Sequence, residues 1–149
     1  MLDFDVPELA LEEHIEEVGG MAYRAMHLRP AWVAVDEAVA EDNRRLFESS
    51  GASGRHGRWP RAKSPRPGGG LLKRTRRLMG SVSNTKHPDH VFEATDERIA
   101  RLGTRVEYAS YHHHGTSRLD QRRVMDLTDA QEDAKADIVE RFVHSGELP

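Results

Sequence analysis

Cysteine is absent from this 149-residue chain. Disulfides, cysteine-based zinc sites and a cysteine nucleophile are thereby excluded. Long apolar runs are absent as well, and none approaches the ~18 residues needed to cross a bilayer. The N-terminal Met1-Leu-Asp-Phe-Asp-Val lacks the basic-then-apolar layout of a signal peptide. The expectation is a soluble protein made in a cytosol, with no membrane partner. Apolar residues are scarce, at 37% against 32% charged, where globular domains average about 45–50% and 25%. The core is thin for the length, so part of the chain stays unpacked or buries surface against partners. At ~100–200 residues per domain, the length fits one domain over 1–149.

Acidic residues are missing from one long stretch. Residues 1–48 hold twelve acids and four bases, and residues 89–149 hold thirteen acids and eight bases. Between them, residues 49–88 hold ten bases and no acid: Arg55, Arg58, Arg61, Lys63, Arg66, Lys73, Arg74, Arg76, Arg77 and Lys86. The formal net charge of -3 conceals this division. Such asymmetry suggests a basic arm that meets something acidic. Nucleic acid, a partner's acidic face and the acidic flank of a neighbouring copy are the candidates. A solvated basic loop is the plain alternative.

Leu2, Phe4 and Val6 alternate as in a short strand. Pro7 then suits a first helical turn, and Glu8, Glu12 and Glu13 suit its positive end. Leu9, Leu11, Ile15 and Val18 give a loose apolar face that resumes, past Gly19-Gly20, at Met21, Ala22, Ala25 and Met26. Pro30 ends this helix near Leu28. A second helix carries Trp32, Val35, Val39, Leu46 and Phe47, and stops about Ser49–Gly51. Residues 50–70 contain six glycines and three prolines with no apolar period. They read as a long loop or arm. Its one large apolar residue, Trp59, either anchors on another subunit or folds back on its own core.

Beyond the arm, Leu71-Leu72 and residues 75–82 read as a short helix or turn entering a strand. Strands are expected at 91–95 and 104–108, with connections at 84–89 and 99–103. The last helix has the clearest signals. Thr128-Asp-Ala-Gln131 is a capping box, Ala130, Ala134, Ile138 and Phe142 form a stripe joined by Val139, and Gly146 is the stop. The predicted class is α+β: a small antiparallel sheet packed against N-terminal and C-terminal helices, with a long basic arm.

Chemistry-bearing patterns are few. Tyr111-His112-His113-His114-Gly115 places three histidines in a row. Read as a strand, only His112 and His114 share a face. A site joining them to His87 and His90 is conceivable, and a metal-dependent hydrolase built on His112 and His114 is the remote alternative function. A polar turn or a pH-sensitive interface is the plainer role. No GxSxG occurs, and Gly68-Gly69-Gly70 lacks the Lys-Ser/Thr ending of a P-loop. The acid pairs Glu12/Glu16 and Asp133/Asp137 read as solvated helix faces. No spaced constellation supports an enzyme, a metal site or a cofactor. The arginines around Trp59 suit phosphate contact, but no helix-turn-helix or zinc-finger spacing accompanies them.

From Trp59 onward the spacing resembles the virion-morphogenesis, tail-completion family of tailed bacteriophages. A Gly-x-Trp element stands at Gly57-Arg-Trp59. A Leu-x-x-Thr-x-x-Leu-x-x-Ser-Val element stands at Leu72, Thr75, Leu78, Ser81 and Val82. The longest match is Gly103-Thr104, Tyr108-Ala109, His112 and Gly115-Thr116, followed by Arg122 and Met125. Asp120 departs from the proline common in the family. The resemblance spans about residues 44–143.

It implies a small α+β structural subunit that forms a ring, hexameric by that likeness, at the head-proximal end of a phage tail. Such a ring caps the tail tube, ends its polymerisation and meets the head-side connector or stopper protein. Genomic DNA passes through its lumen. A head-closure or head–tail joining protein is the alternative. The expected location is the tail-neck region of a virion, after synthesis in a host cytoplasm. Ring closure needs two unlike patches per subunit, and the basic arm is expected to strap onto a neighbouring protein. The interface candidates are Arg58, Trp59, Arg61, Lys63, Arg74, Arg76 and Arg77 in the arm, with Tyr111, His112, His114, Arg122 and Arg123 beyond it.

Overall fold

Pro30 lies in the first turn of a helix spanning Arg29–Glu48 (α2), where its missing N–H leaves no bond unmade. Ala31, Val35 and Val39 recur at a spacing of four and are buried, and Leu46 and Phe47 follow. The rest of the fold assembles on this helix. The computed structural model describes residues 8–63, 72 and 76–149. The strand expected at Leu2–Val6, the triple glycine at 68–70, and Arg66, Lys73 and Arg74 lie outside the described residues.

The chain order is α1 (Glu8–Met26), α2, α3 (Arg77–Ser83), β1 (His90–Asp96), β2 (Ile99–Thr104), α4 (Ala109–His114) and α5 (Asp129–Ser145). The fold is α+β. The sheet rests on α2 and α3, while α5 packs on α2 and α1.

β1 and β2 pair antiparallel, with His90 opposite Thr104 and Phe92 opposite Leu102, and the register slips between Glu93 and Asp96. The second strand thus occupies 99–104, not the expected 104–108. The alternation of Thr104, Val106 and Tyr108 mimics a strand. In the fold, Val106 is buried from a non-strand segment and Tyr108 stands at the N-cap of α4. Only Glu97 and Arg98 separate the strands, the tightest common hairpin connection. The turn is pinned to the start of α2: the Trp32 indole N–H donates to the Glu97 carbonyl at 2.8 Å, and the Arg29 amide to its carboxylate at 3.0 Å.

The core joins Leu46 and Phe47 of α2 to Trp59, Leu78, Val82, Val106, Ala109 and Val124, with Leu72, Met79 and Met125 packed against it. Residues 50–63 are therefore not a free arm. Gly54 N–H bonds Gly51 O at 3.1 Å, Gly57 N–H bonds Gly54 O at 3.2 Å, and Trp59 N–H returns to Ser50 O at 2.8 Å. Glycine every third residue lets each turn close on the last. Gly51 has φ +88° and a Cβ there would lie 2.5 Å from the Trp59 ring, so both its angle and its lack of a side chain are required.

Polar contacts supplement this small core. His90 reaches the Ser81 carbonyl through Nδ1 at 2.9 Å and both Asp36 oxygens through Nε2 at 3.0 Å. Both ring nitrogens therefore face oxygen atoms of other elements, and the ring bridges α2, α3 and β1. The Asn43 amide donates to Val82 O at 2.9 Å, and Lys135 of α5 pairs with buried Asp42 of α2.

α5 begins and ends as its sequence predicts. Thr128 and Gln131 bond reciprocally, and Gly146 closes the helix at φ +78°. Of its stripe, Phe142 is buried, Ile138 and Val139 are half-buried, and Ala130 and Ala134 are exposed. Arg24 of α1 donates to the Val143 and His144 carbonyls at 2.7 and 2.6 Å. A cation there also matches the negative end of the helix.

Trp59→Ala should destabilise the subunit by about 3–5 kcal/mol, the usual cost of deleting a buried large aromatic. Gly51→Ala should destabilise it as well, by forcing the same ring aside. Urea unfolding followed by circular dichroism measures both.

Candidate functional site

The candidate surface is built where residues 55–63 cross residues 119–126. Two side chains make the crossing rigid. The Trp59 indole N–H donates to Arg123 O at 3.0 Å, and its ring stands edge-on to Phe47 at 5.1 Å. Arg122, 7% exposed, reaches back to Pro60 O at 3.1 Å and Arg61 O at 3.3 Å. Its own amide bonds His112 O at 2.7 Å, so the same residue ties the crossing to α4. Trp59 thus takes its own core, not another subunit's, and Arg122 is an internal staple. Neither offers its side chain to a partner.

Asp126, 8% exposed, is the acceptor hub of the crossing. Its carboxylate takes the His56 amide at 2.9 Å and faces His56 Nδ1 at 2.6 Å, while its carbonyl takes the Arg55 amide at 3.4 Å. A Cβ at Gly54 would sit 2.6 Å from that carboxylate, which explains the glycine. Asp126 carried no signal in the sequence. Its neighbours mark only the approach to a helix cap. Between the two strands of chain lies a pocket of about 390 Å³ lined by His56, Arg58, Trp59, Asp120, Arg123 and Asp126 among others.

The remaining arm residues divide. Arg58 and Arg61 are exposed, and together with half-buried Arg123 they enter no ion pair among the described residues. Lys63 lies 3.8 Å from Asp120, and Arg122 lies 3.9 Å from it. Arg55 binds Asp129 at 2.6 Å and Glu132 at 2.9 Å in the first turn of α5. Arg76 is exposed at the N-cap of α3 with φ +54°. Arg77 forms a two-bond fork with Asp89 at 2.6 and 3.0 Å. That hydrogen-bonded fork holds the Asp89 carboxyl below its ordinary range. Arg55, Lys63 and Arg77 of the expected strap are therefore fastened within their own chain. Arg74 lies outside the described residues.

The histidine run is a short helix, not a strand. At ~100° per residue, His112 and His114 point to nearly opposite sides of α4. The helical geometry separates the two residues that a strand would have put on one face. Among the described residues, no group of three or more His, Cys, Asp or Glu is placed to hold a metal ion. His87 Nδ1 takes the Asp89 amide, and His90 is committed to Asp36. Tyr111 is 58% exposed, and the His113 and His114 rings meet edge-to-face at 5.0 Å. Burial lowers the pKa of His112, with Arg122 adding to the effect. His113 is lowered too, by burial first and then by His114 and Arg123.

Comparison with protein-family models, with curated proteins and with solved structures finds no match for the chain. Among the described residues, no helix is long and apolar enough to cross a membrane.

The lowered histidines set a pH dependence. A base whose folded pKa is depressed adds stability above its ordinary 6.5 and loses it as pH falls through the folded value. Asp36 acts in the opposite sense at lower pH. Burial raises its carboxyl above 3.8, so its contribution is complete below 3.8 and lost as pH rises through the folded value. The melting temperature should hold above neutral pH and fall below about pH 6.5. The fall should be smaller in His112→Gln, and differential scanning fluorimetry across pH reads both.

Proposed function

We propose that this chain is a structural virion subunit that assembles as a ring at the head-proximal end of a phage tail, ends tube growth there and joins the tail to the head. One observation carries the reading. A single subunit presents two unlike surfaces, attached at opposite ends of α5. The basic segment is tied by Arg55 to the first turn of that helix, and the acidic α1 is tied by Arg24 to its last carbonyls. Eleven to fifteen residues separate the two attachment points, roughly 17–22 Å at the helical rise. Glu12, Glu13, Glu16 and Glu17 are all exposed on α1, and Arg58 and Arg61 are exposed on the basic side. A ring of identical subunits needs such a pair, since each copy meets its neighbour with a different patch.

The residues that resemble the tail-completion family support the same reading, because they sit at architectural joints. Trp59 closes the core, Ser81 Oγ and Thr104 Oγ1 meet at 2.6 Å between α3 and the hairpin, and Ala109 is buried at the start of α4. Gly115 bends the chain at φ +73°, with Gln121 backbone atoms 3.1 Å from where a Cβ would be.

Deletion of the coding sequence from the phage that carries it, followed by negative-stain electron microscopy, tests the proposal. Overlong or variable tails are expected. Normal tails beside unattached heads would assign the chain to head–tail joining, and intact infectious particles would overturn the structural role. Arg58→Glu with Arg61→Glu should block assembly while shifting the urea stability by less than about 0.5 kcal/mol, because both side chains are on the surface. Normal particles from that double variant would exclude the basic surface from the ring.

A further inference from the structure

Two guanidinium groups line the recess between residues 55–63 and 119–126 without a protein partner. Among the described residues, Arg58 and Arg123 make no ion pair and no side-chain hydrogen bond, and Arg123 is half-buried. A guanidinium stays charged and presents several N–H donors. Partly withdrawn from water, it is costly to leave without an acceptor. The Trp59 indole N–H holds the Arg123 carbonyl at 3.0 Å, which fixes the backbone from which that side chain leaves.

The carboxylates of the recess are already engaged. Asp126 is buried and takes the His56 amide at 2.9 Å, with His56 Nδ1 at 2.6 Å. Asp120 has Lys63 at 3.8 Å and Arg122 at 3.9 Å. Counted with these partners, Arg58, Lys63, Arg122 and Arg123 stand against Asp120 and Asp126, a positive surplus before His56 is counted. Because Nδ1 faces Asp126, the imidazole is held in place. Nε2 is then the ring nitrogen without a partner among the described residues. The Gln121 amide nitrogen is engaged by His113 O at 3.0 Å.

We propose that this recess binds a small phosphate, free or as a monoester, held between Arg58 and Arg123 with His56 as a third contact. A carboxylate offers its two oxygens in one plane. A phosphate offers oxygens in more directions, which suits three separate groups, and arginine meets it with paired N–H bonds. The recess holds about 390 Å³, within the ~300–1,000 Å³ usual for small-molecule sites. Arg55, the neighbouring cation in the chain, is taken by Asp129 and Glu132. The basic track that an extended nucleic-acid backbone needs is interrupted there. The recess is complete within one copy, so its occupation does not depend on ring assembly.

The chain has two tryptophans, and they make the test direct. The Trp59 indole N–H belongs to the wall of the recess, and the Trp32 indole N–H is bonded at the hairpin turn. The ¹⁵N-labelled full chain is titrated with inorganic phosphate and with AMP, against sodium chloride at equal ionic strength. The Trp59 indole signal should shift and saturate while the Trp32 signal holds. Tighter saturation by AMP assigns the ligand as a monoester, and equal or weaker saturation assigns it as free phosphate. Arg58→Gln and Arg123→Gln should each weaken binding about tenfold with the circular dichroism unchanged. Arg61→Gln, outside the wall of the recess, should change it less than about twofold. A shift that chloride reproduces, parallel shifts of both indoles, no shift, or an equal loss in Arg61→Gln would each overturn the proposal. Tighter binding of glutamate or of a short DNA duplex than of either phosphate would overturn it as well.

Discussion

Trp59 stands edge-on to Phe47, with 5.1 Å between ring centres, and its indole N–H reaches the carbonyl of Arg123. Much of what lies between α2 and α5 depends on this contact. The ring fills the gap at the end of α2, and the N–H fixes residues 119–126 against the same surface. Aromatic pairs in this geometry add ~0.5–1.5 kcal/mol to the area they bury. Without the ring, a segment with so many glycines would have little reason to order. The contact also sets Gly51 and Gly54, whose missing side chains make room for the ring and for Asp126.

The apolar cluster around Trp59 is small, and polar groups finish the joints. Asp36 with His90 links α2 to β1, Asn43 links α2 to α3, and Asp42 with Lys135 links α2 to α5. Each is a pair between elements distant in sequence. Such pairs add little net stability when compared with apolar packing, yet losing one partner is costly because the other stays buried. They therefore select one arrangement of the helices, and α2 carries a polar residue for each neighbour it holds.

The division of charge becomes a division of space through α5. Its first turn accepts Arg55 and its last carbonyls accept Arg24, so the basic segment and α1 are tied to opposite ends of one helix.

Local signals were legible and remote ones were not. The capping box of α5 and its closing glycine, the break between α1 and α2 near Pro30, and an α+β composition all follow from short-range rules, because helix ends are satisfied by residues within a turn. The hairpin was displaced because Thr104, Val106 and Tyr108 alternate like a strand, while burial of Val106 depends on a core assembled from elsewhere. The basic residues were legible as a class, but not their partners: Arg77 finds Asp89, Arg55 finds Asp129, and Arg122 turns inward to backbone carbonyls. His112 and His114 were placed on one face by a strand period that a helix does not share. The sequence by itself determined the approximate bounds of α1, α2 and α5, the thin core and the segregation of charge, since each depends on neighbours along the chain. Only the tertiary structure decided that Trp59 folds home, that Asp126 is a hub and that Arg58 and Arg123 share one recess. Those outcomes depend on which distant surfaces meet, and no local period encodes that.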